Sequence, residues 1–356
     1  LTCISILRFT AFFLYGNCFY FNALFKIKFV TTMDKTEHLS LSNTIKDVHE
    51  KLRKSLHLTQ DPNRVWQEHV KEEDLRKKYS QAMMKLATEV WDGKDCRIDW
   101  SYKTCMDFFY HGGLEKFHAR EKKIKEFSTI KEGGKNEVSD DGMQINNYLN
   151  MNGQLKLLDI GSCYNPFSKI SEFSCVAIDL TPATKDVLPC DFLQAQIHEN
   201  SNAETISDSN IEFFEESFDI VVMSLVLEYL PAAEQRAVFC YKAWQLLHQN
   251  GLCIIITPDS KSLHHNAPMM KSWKTALEKI GFKRIKYEKL THLHCMAFCK
   301  VTRISSVDIL SCKSLSDLLY IPQDFKSYAE DDSPIERSEE ESQSICEQFL
   351  QLPNSD

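Results

Sequence analysis

The sequence LLDIGSCYNPF, residues 157–167, joins a short apolar run to a glycine and several small polar residues. Three similar apolar runs follow along the chain: CVAIDL (175–180), FDIVVMS (218–224) and GLCIIIT (251–257). Amphipathic stretches typical of helices separate the later runs. Nearly continuous apolar strands that alternate with helices predict a parallel sheet covered on both faces. The sequence therefore predicts an α/β fold.

The last two predicted strands indicate how that sheet ends. FKRIKYEKL (282–290) and THLHCMAFCKV (291–301) are joined directly, which predicts a terminal antiparallel hairpin. Six or seven strands that finish in such a hairpin are typical of the Rossmann-like sheet of class I methyltransferases. We assign this domain to residues 146–301.

The residues before the sheet have a helical period. Ile45, Val48, Leu52 and Leu56 recur at steps of three and four, behind a candidate cap at Ser42 or Asn43. We predict a helical domain over 33–127 and a linker over 128–145. Aromatic residues between 91 and 110 are a plausible lid that the linker would allow to move.

Charge is concentrated at one end of the 356-residue chain. Residues 321–356 hold ten acidic side chains against Lys326 and Arg337, a net charge of −8 that equals that of the whole chain. The remaining body is neutral, so a strongly basic nucleic-acid-binding body is not evident. We expect a polar, acidic and largely disordered tail over 302–356. The thirteen cysteines lack a repeated spacing and are expected to be buried, reduced thiols of an intracellular protein.

Residues 1–32 are rich in aromatic side chains and contain no acid. We expect them to be a non-native segment translated upstream of a working start at Met33. A membrane anchor is the alternative, although polar and basic residues interrupt the run.

Polar residues at the ends of successive strands suggest a nucleoside site. Gly161, beside Ser162, lacks a Cβ and would let the backbone approach a ligand closely. Asp179 ends the second strand, where a carboxylate would accept hydrogen bonds from ribose hydroxyls. Asp191 and Phe192 follow the third strand and would bind and stack on adenine. The alternatives are a simple turn at Gly161, a turn cap at Asp179 and core packing for Phe192.

The sequence also resembles a known family. The resemblance rests on LLDIGSCYNPF, AIDL, CDF, MSLVLEYLP, GLCIIITPDS and MMKSWKTALEKIGFKRIKY, and extends through VHEKLRK, VWQEHV, RIDW and HGG to LYIPQDF. These motifs, over about 40–325, are similar to the S-adenosylmethionine sensors upstream of the target-of-rapamycin complex. That family is shared with fungal methyltransferases that act on an adenine of large-subunit ribosomal RNA.

The resemblance implies a ligand and partners. It implies binding of S-adenosyl-L-methionine, with S-adenosylhomocysteine also expected to bind. It implies a negative regulator of target-of-rapamycin signalling that associates with the GATOR and KICSTOR complexes during methionine starvation and is released when ligand binds. The expected localisation is cytoplasmic, with recruitment to the lysosomal surface through partners. No metal and no membrane insertion are expected.

The resemblance also implies roles for residues. Gly161 would line the methionine part of the ligand, Asp179 the ribose, and Asp191 with Phe192 the adenine. Ser224, at the end of the fourth strand, would flank the ligand. Arg97 is a candidate for reaching in from the helical domain to the ligand carboxylate, because a guanidinium suits a planar anion; a surface arginine is the alternative.

Catalysis is left open by the sequence. The Asn/Asp-Pro-Pro-aromatic motif of many amino methyltransferases is replaced by SLVLEY at 224–229, where Glu228 could act as a base or could face solvent. A methyltransferase acting on an RNA adenine or on protein is therefore the alternative function, with catalytic residues unknown. A zinc site at His292, His294, Cys295 and Cys299 is disfavoured because strand alternation places them on opposite faces.

Overall fold

The computed structural model describes residues 34–90, 97–131, 153–199, 206–207, 210–259, 263–301 and 313–326. These residues belong to one compact unit. The predictions for 1–32, for most of the linker and for 302–312 and 327–356 lie outside the described residues.

The strands are, in chain order, β1 (Leu155–Ile160), β2 (Phe173–Asp179), β3 (Leu188–Pro189), β4 (Ile197–His198), β5 (Ile206–Ser207), β6 (Asn210–Ile211), β7 (Phe213–Phe214), β8 (Phe218–Ser224), β9 (Leu247–Pro258), β10 (Phe282–Leu290) and β11 (Leu293–Lys300). The main sheet has seven strands in the order β10-β11-β9-β8-β1-β2-β3. Strands β3, β2, β1, β8 and β9 are parallel to one another, and β11 runs antiparallel to both β9 and β10. The predicted α/β sheet with its terminal antiparallel hairpin is confirmed.

The helices are α1 (Lys35–Thr59), α2 (Pro62–Lys71), α3 (Glu73–Glu89), α4 (Arg97–Phe109), α5 (Gly113–Lys131), α6 (Ala233–Leu246), α7 (Leu263–Ile280) and α8 (Lys313–Ser316). Helix α1 begins at Lys35, well before the predicted cap; Ser42 lies inside it, and its hydroxyl donates to the carbonyl of His38. Helix α2 starts at Pro62, because Asp61 accepts from the Arg64 amide and Pro62 occupies the first turn. Within the described ranges, no helix has the length and apolar character needed to cross a membrane.

One face of the sheet is covered by helices from the N-terminal part of the chain. The described connection between β1 and β2 contains no helix that could cover this face. Instead Trp100 and Phe108 of α4 share a buried apolar cluster with Leu157 and Val222 of the sheet. This corrects the lid interpretation of the aromatic residues: Trp100 and Phe108 belong to the core, while Trp91 lies outside the described residues.

The opposite face is covered by α6, α7 and a C-terminal segment over 313–326. The sequence places this segment in the predicted tail, but the structure packs it against the helices. The Trp273 indole donates to the carbonyl of Tyr320 at 2.8 Å, and the Ser272 hydroxyl donates to the carbonyl of Leu318 at 2.7 Å. Two side-chain donors of α7 therefore hold the backbone of the 313–326 segment at Leu318 and Tyr320.

Arg236 of α6 ties the segment to the body. Its guanidinium is fully buried and donates to the carbonyls of Leu319 at 2.7 Å and Leu230 at 2.8 Å. It also pairs with the Asp324 carboxylate. A buried charge with these partners is stable only while all of them remain in place.

We expect Arg236→Met to lower the free energy of unfolding by about 3 kcal/mol, because it leaves the partly buried Asp324 carboxylate and two buried carbonyls without their donor. Urea unfolding measures the change. The control is Arg64→Met, since Arg64 pairs with Glu68 on the exposed side of α2 and should cost about 0.5 kcal/mol or less. Equal effects of the two substitutions would contradict the role of Arg236.

Candidate functional site

A cavity lies at the carboxyl ends of β1, β2 and β8, where α3 and α4 approach the sheet. Its empty volume is about 1000 Å³, including its opening to solvent. Every residue that the sequence assigns to ligand binding lines it: Arg97, Gly161, Ser162, Asp179, Asp191, Phe192 and Ser224. Open parallel sheets bind ligands at this edge.

Asp179 is held rigidly at the end of β2. Its Oδ1 accepts from the Thr181 amide at 2.7 Å and its Oδ2 accepts from the Cys163 amide at 3.0 Å. Burial raises the pKa of this carboxyl to about 6, and the two amides oppose that rise. Each carboxylate oxygen can accept more than one hydrogen bond, so Asp179 keeps acceptor capacity for hydroxyl groups. Asp179 can therefore cap the turn and bind a ligand at the same time.

Asp191 is linked to the N-terminal helices. Its Oδ2 accepts from the Trp66 indole of α2 at 3.0 Å, and its Oδ1 accepts from the Leu193 amide at 3.1 Å. The neighbouring Phe192 is only 3% exposed and packs edge-on against Phe239, with ring centroids 5.0 Å apart. Phe192 therefore lines the cavity while serving mainly as a core residue.

Gly161 lacks a side chain for a packing reason that the sequence does not indicate. Its φ is +73°, and a Cβ at this position would lie 2.5 Å from Cγ2 of Val226. The missing Cβ makes room for Val226 in the turn after β8, which lies beside the cavity. Gly161 also lines the cavity, so its expected approach to a ligand stays a prediction.

Asp159 is a site residue that the sequence analysis left out of its predicted set. It lies near the cavity end of β1, and burial raises the pKa of its carboxyl to about 7, while the Ser162 hydrogen bond and the charge of Arg97 oppose the rise. Arg97 begins α4 and donates to the Tyr164 hydroxyl at 3.3 Å. The acid in LLDIG was the available signal, because it precedes the strand-end glycine by two positions.

Arg76 of α3 is a second residue that the sequence did not indicate. Its guanidinium donates to the carbonyl of Leu180 at 3.2 Å and to the Thr181 hydroxyl, and also to the carbonyl of Val70 at 2.8 Å. These contacts join α2 and α3 to the turn that holds Asp179. No local pattern marks this role, since Leu180 and Thr181 lie more than a hundred positions away along the chain.

An aromatic and histidine cluster lies between the helices and the turn after β8. The Tyr79 and Tyr229 rings lie 4.8 Å apart, and both residues line the cavity. The Tyr79 hydroxyl is hydrogen-bonded to His49 at 3.0 Å, and the Tyr229 hydroxyl is hydrogen-bonded to His69. Burial lowers the pKa of His69 to about 4, so this imidazole is neutral at physiological pH.

Ser224 and Glu228 lie near the end of β8, but only Ser224 lines the cavity. The Ser224 hydroxyl is buried, lines the cavity and has no hydrogen-bond partner among the described residues. Glu228 neither faces solvent nor lines the cavity; it is buried, and burial raises the pKa of its carboxyl. The carbonyl of Glu228 accepts from Arg53 of α1. A base at Glu228 would therefore be separated from the cavity.

The hairpin histidine and cysteines form hydrogen bonds and core contacts. His294 is hydrogen-bonded to the Tyr287 hydroxyl at 2.9 Å and to the Asp259 carboxylate at 3.2 Å. Cys295 and Cys299 lie in the apolar cluster under α4. In the part of the chain that the structure describes, no group of three His, Cys, Asp or Glu side chains is placed to hold a metal ion.

The strand order and the cavity at the carboxyl ends of the parallel strands define a class I methyltransferase fold. Residues 110–314, more than half of the chain, match the family model described as 25S rRNA (adenine(2142)-N(1))-methyltransferase, Bmt2. The chain belongs to this family, and the resemblance found in the sequence is confirmed.

Curated relatives match over most of the chain. A Xenopus laevis protein named "S-adenosylmethionine sensor upstream of mTORC1" is 39% identical over 90% of this chain and 85% of its own length. Proteins of the same name from Danio rerio and Xenopus tropicalis are 36% and 38% identical, again over 90% of this chain and over 86% and 85% of their lengths.

We expect Gly161→Ala to lower the free energy of unfolding by about 2 to 4 kcal/mol, because it combines a left-handed backbone with a clash against Val226. Urea unfolding measures this. The matched control is Gly153→Ala, since Gly153 has a φ of +74° and open space around the added Cβ, and should cost only about 1 kcal/mol. Adding Val226→Ala to Gly161→Ala should recover part of the loss; no recovery would contradict the clash.

We expect His69→Gln to weaken the pH dependence of stability. The folded pKa of His69 lies below its unfolded value of 6.5, so the unfolded chain binds the proton first and stability falls as pH drops from 6.5 towards 4. Between pH 7.5 and 5.5 the wild type should lose about 1.4 kcal/mol more than His69→Gln. Urea unfolding at both pH values tests this.

The charged groups around His69 are Glu72, Arg76 and Lys51, and they are the same in the wild type and in His69→Gln. The raised pKa values of Asp159 and Asp179 act in the opposite direction but are common to both proteins. A wild-type slope in His69→Gln would overturn the assignment.

Proposed function

We propose that this chain binds S-adenosylmethionine in the cavity and acts as a sensor upstream of mTORC1. The observation that carries the proposal is that one cavity has walls from both α2–α4 and the carboxyl ends of the sheet. A ligand in it contacts both parts of the molecule at once. The names of the curated relatives support the same function.

The polar groups of the cavity fit this ligand along its length. Asp179 offers acceptors to the ribose hydroxyls, and Asp191 offers one to the adenine amino group. At the other end, Asp159 suits the ammonium of the methionine part and Arg97 suits its carboxylate. The Ser224 hydroxyl, buried without a partner among the described residues, gains one from a bound ligand.

A sensor needs two conformational states that bind the ligand with different affinities. A ~100-fold difference corresponds to roughly 2.7 kcal/mol, which a few contacts that bridge helices and sheet supply. The Trp66–Asp191 and Arg76–Thr181 hydrogen bonds already join the two walls of the cavity. Ligand bound between these walls therefore favours one arrangement of α2 and α3 against the sheet.

We further propose the partners and the setting. The ligand-free chain associates with the GATOR and KICSTOR complexes when methionine is scarce and restrains mTORC1 signalling, and ligand binding releases it. The chain acts in the cytoplasm and reaches the lysosomal surface through these partners. The family resemblance supports these proposals.

A second candidate is an active methyltransferase on an RNA adenine or on protein. The description of the family model favours it. The structure offers it less support, because Glu228 lies outside the cavity lining and SLVLEY lacks the carboxamide that would hold an amino nucleophile. The two candidates share the ligand and differ in the outcome of its binding: release of partners in one case, methyl transfer in the other.

We expect Asp179→Asn to weaken S-adenosylmethionine binding by about 10- to 100-fold, because an acceptor for the ribose is lost and the new NH2 group faces one of the two backbone N–H donors. Calorimetric titration of the full chain measures the affinity. The matched control is Asp219→Asn. Asp219 is also a buried strand carboxylate that accepts from a backbone amide, that of Lys156 at 2.8 Å, but it does not line the cavity.

The same titration is followed by capture of GATOR and KICSTOR subunits with and without ligand. Loss of capture on adding S-adenosylmethionine, blunted in Asp179→Asn and normal in Asp219→Asn, supports the sensor. Binding without any effect on capture favours the methyltransferase, for which transfer of a labelled methyl group to ribosomal RNA is the next measurement. Absence of binding contradicts both candidates.

A further inference from the structure

Helix α5 presents a basic stripe to solvent. Lys116, Arg120, Lys123 and Phe127 follow one another at steps of four, three and four and so lie on one side of the helix. We call these four residues the α5 stripe. The opposite side of α5 packs on the body of the protein through the buried Leu114.

The cations of the α5 stripe form no ion pair with another described residue. Elsewhere on this side of the molecule, basic residues are neutralised: Lys283 pairs with Glu121 at 2.8 Å and Lys289 pairs with Asp259 at 2.6 Å. The whole of α5, residues 113–131, carries six Lys and Arg against three Glu. The stripe is therefore a local positive surface on a body whose net charge is close to zero.

The stripe ends in exposed apolar surface. Phe127 is 69% exposed and the adjacent Ile124 is 42% exposed. A segment that binds the α5 stripe along its whole length needs acidic groups opposite the cations and apolar groups opposite Phe127 and Ile124. A free anion or a purely acidic segment would leave the apolar end uncovered.

The C-terminal sequence of this chain has that pattern. An acidic run, Glu339–Glu341, precedes Ile345, Phe349 and Leu352, whose spacing of four and three places them on one face of a predicted helix. From Glu341 to Leu352 is eleven positions, as it is from Lys116 to Phe127. Both segments run from charged to apolar in the same chain direction, so a parallel arrangement matches each end.

We propose that residues 339–352 dock in parallel on the α5 stripe of the same chain. The described structure ends at Lys326, which pairs with Glu50 of α1. The twelve residues 327–338 can span up to roughly 40 Å when extended, and the proposal requires that they reach α5 from there. The docked tail neutralises the basic surface and covers Phe127, so another anionic partner must displace the tail before it can bind there. This inference does not depend on the proposed ligand.

Zero-length carbodiimide cross-linking of the full chain, analysed by mass spectrometry, tests the proposal. The expected products join Lys116 to Glu339, Glu340 or Glu341 within one chain. The triple variant Glu339→Lys, Glu340→Lys, Glu341→Lys should reduce protection of α5 amides from hydrogen exchange at least five-fold. The control variant Glu330→Lys, Asp331→Lys, Asp332→Lys makes the same charge change elsewhere in the tail and should leave α5 protection within two-fold of wild type.

A charge swap separates docking from general electrostatics. Adding Lys116→Glu, Arg120→Glu and Lys123→Glu to the 339–341 triple variant should restore α5 protection, while circular dichroism checks that the helix content is retained. Unchanged protection in the triple variant, or cross-links only between two chains, overturns the proposal. Retention of the wild type by phosphatidylserine vesicles with no intramolecular cross-links would show instead that a bilayer occupies the stripe.

Discussion

The structure depends on the need to cover both faces of a parallel sheet. Because the connection after β1 supplies no covering helix, the N-terminal helix α4 must do so, and Trp100 and Phe108 are buried under the sheet for this reason. The Trp100 indole also donates to Glu288 of β10 at 2.8 Å, which anchors α4 at the sheet edge. Helices that the sequence pattern separates as a domain are thereby part of the sheet's own core.

Placing α4 under the sheet brings its first residue, Arg97, to the carboxyl ends of the strands. Helices α2 and α3 are then held over the same edge by Trp66 on Asp191 and by Arg76 on the turn after Asp179. The cavity exists because these helices meet the sheet there. Two of its carboxyls, those of Asp159 and Asp179, are desolvated enough to raise their pKa values, and a cationic ligand would favour their charged forms.

Much of the fold and of the site could be predicted from the sequence because the relevant signals are local. Strands as continuous as FDIVVMS and GLCIIIT are buried on both faces, and their composition alone shows it. Asp179 and Asp191 lie at the ends of successive strands, and the carboxyl ends of parallel strands meet at one edge. A glycine shows that space is needed but not which atoms fill it: an added Cβ at Gly161 would meet Val226, and the approach of a ligand to Gly161 stays a prediction.

The sequence by itself determined the class of sheet, the edge of the sheet where the cavity lies and most polar residues at that edge. Only the tertiary structure decided which residues far away in the chain form hydrogen bonds with one another. Trp66 and Asp191 are 125 positions apart, and Arg236 and Leu319 are 83 positions apart. Periodicity states which side of an element is buried, whereas a specific hydrogen bond depends on where two elements meet. That meeting is set by packing of the whole core, which no single segment encodes.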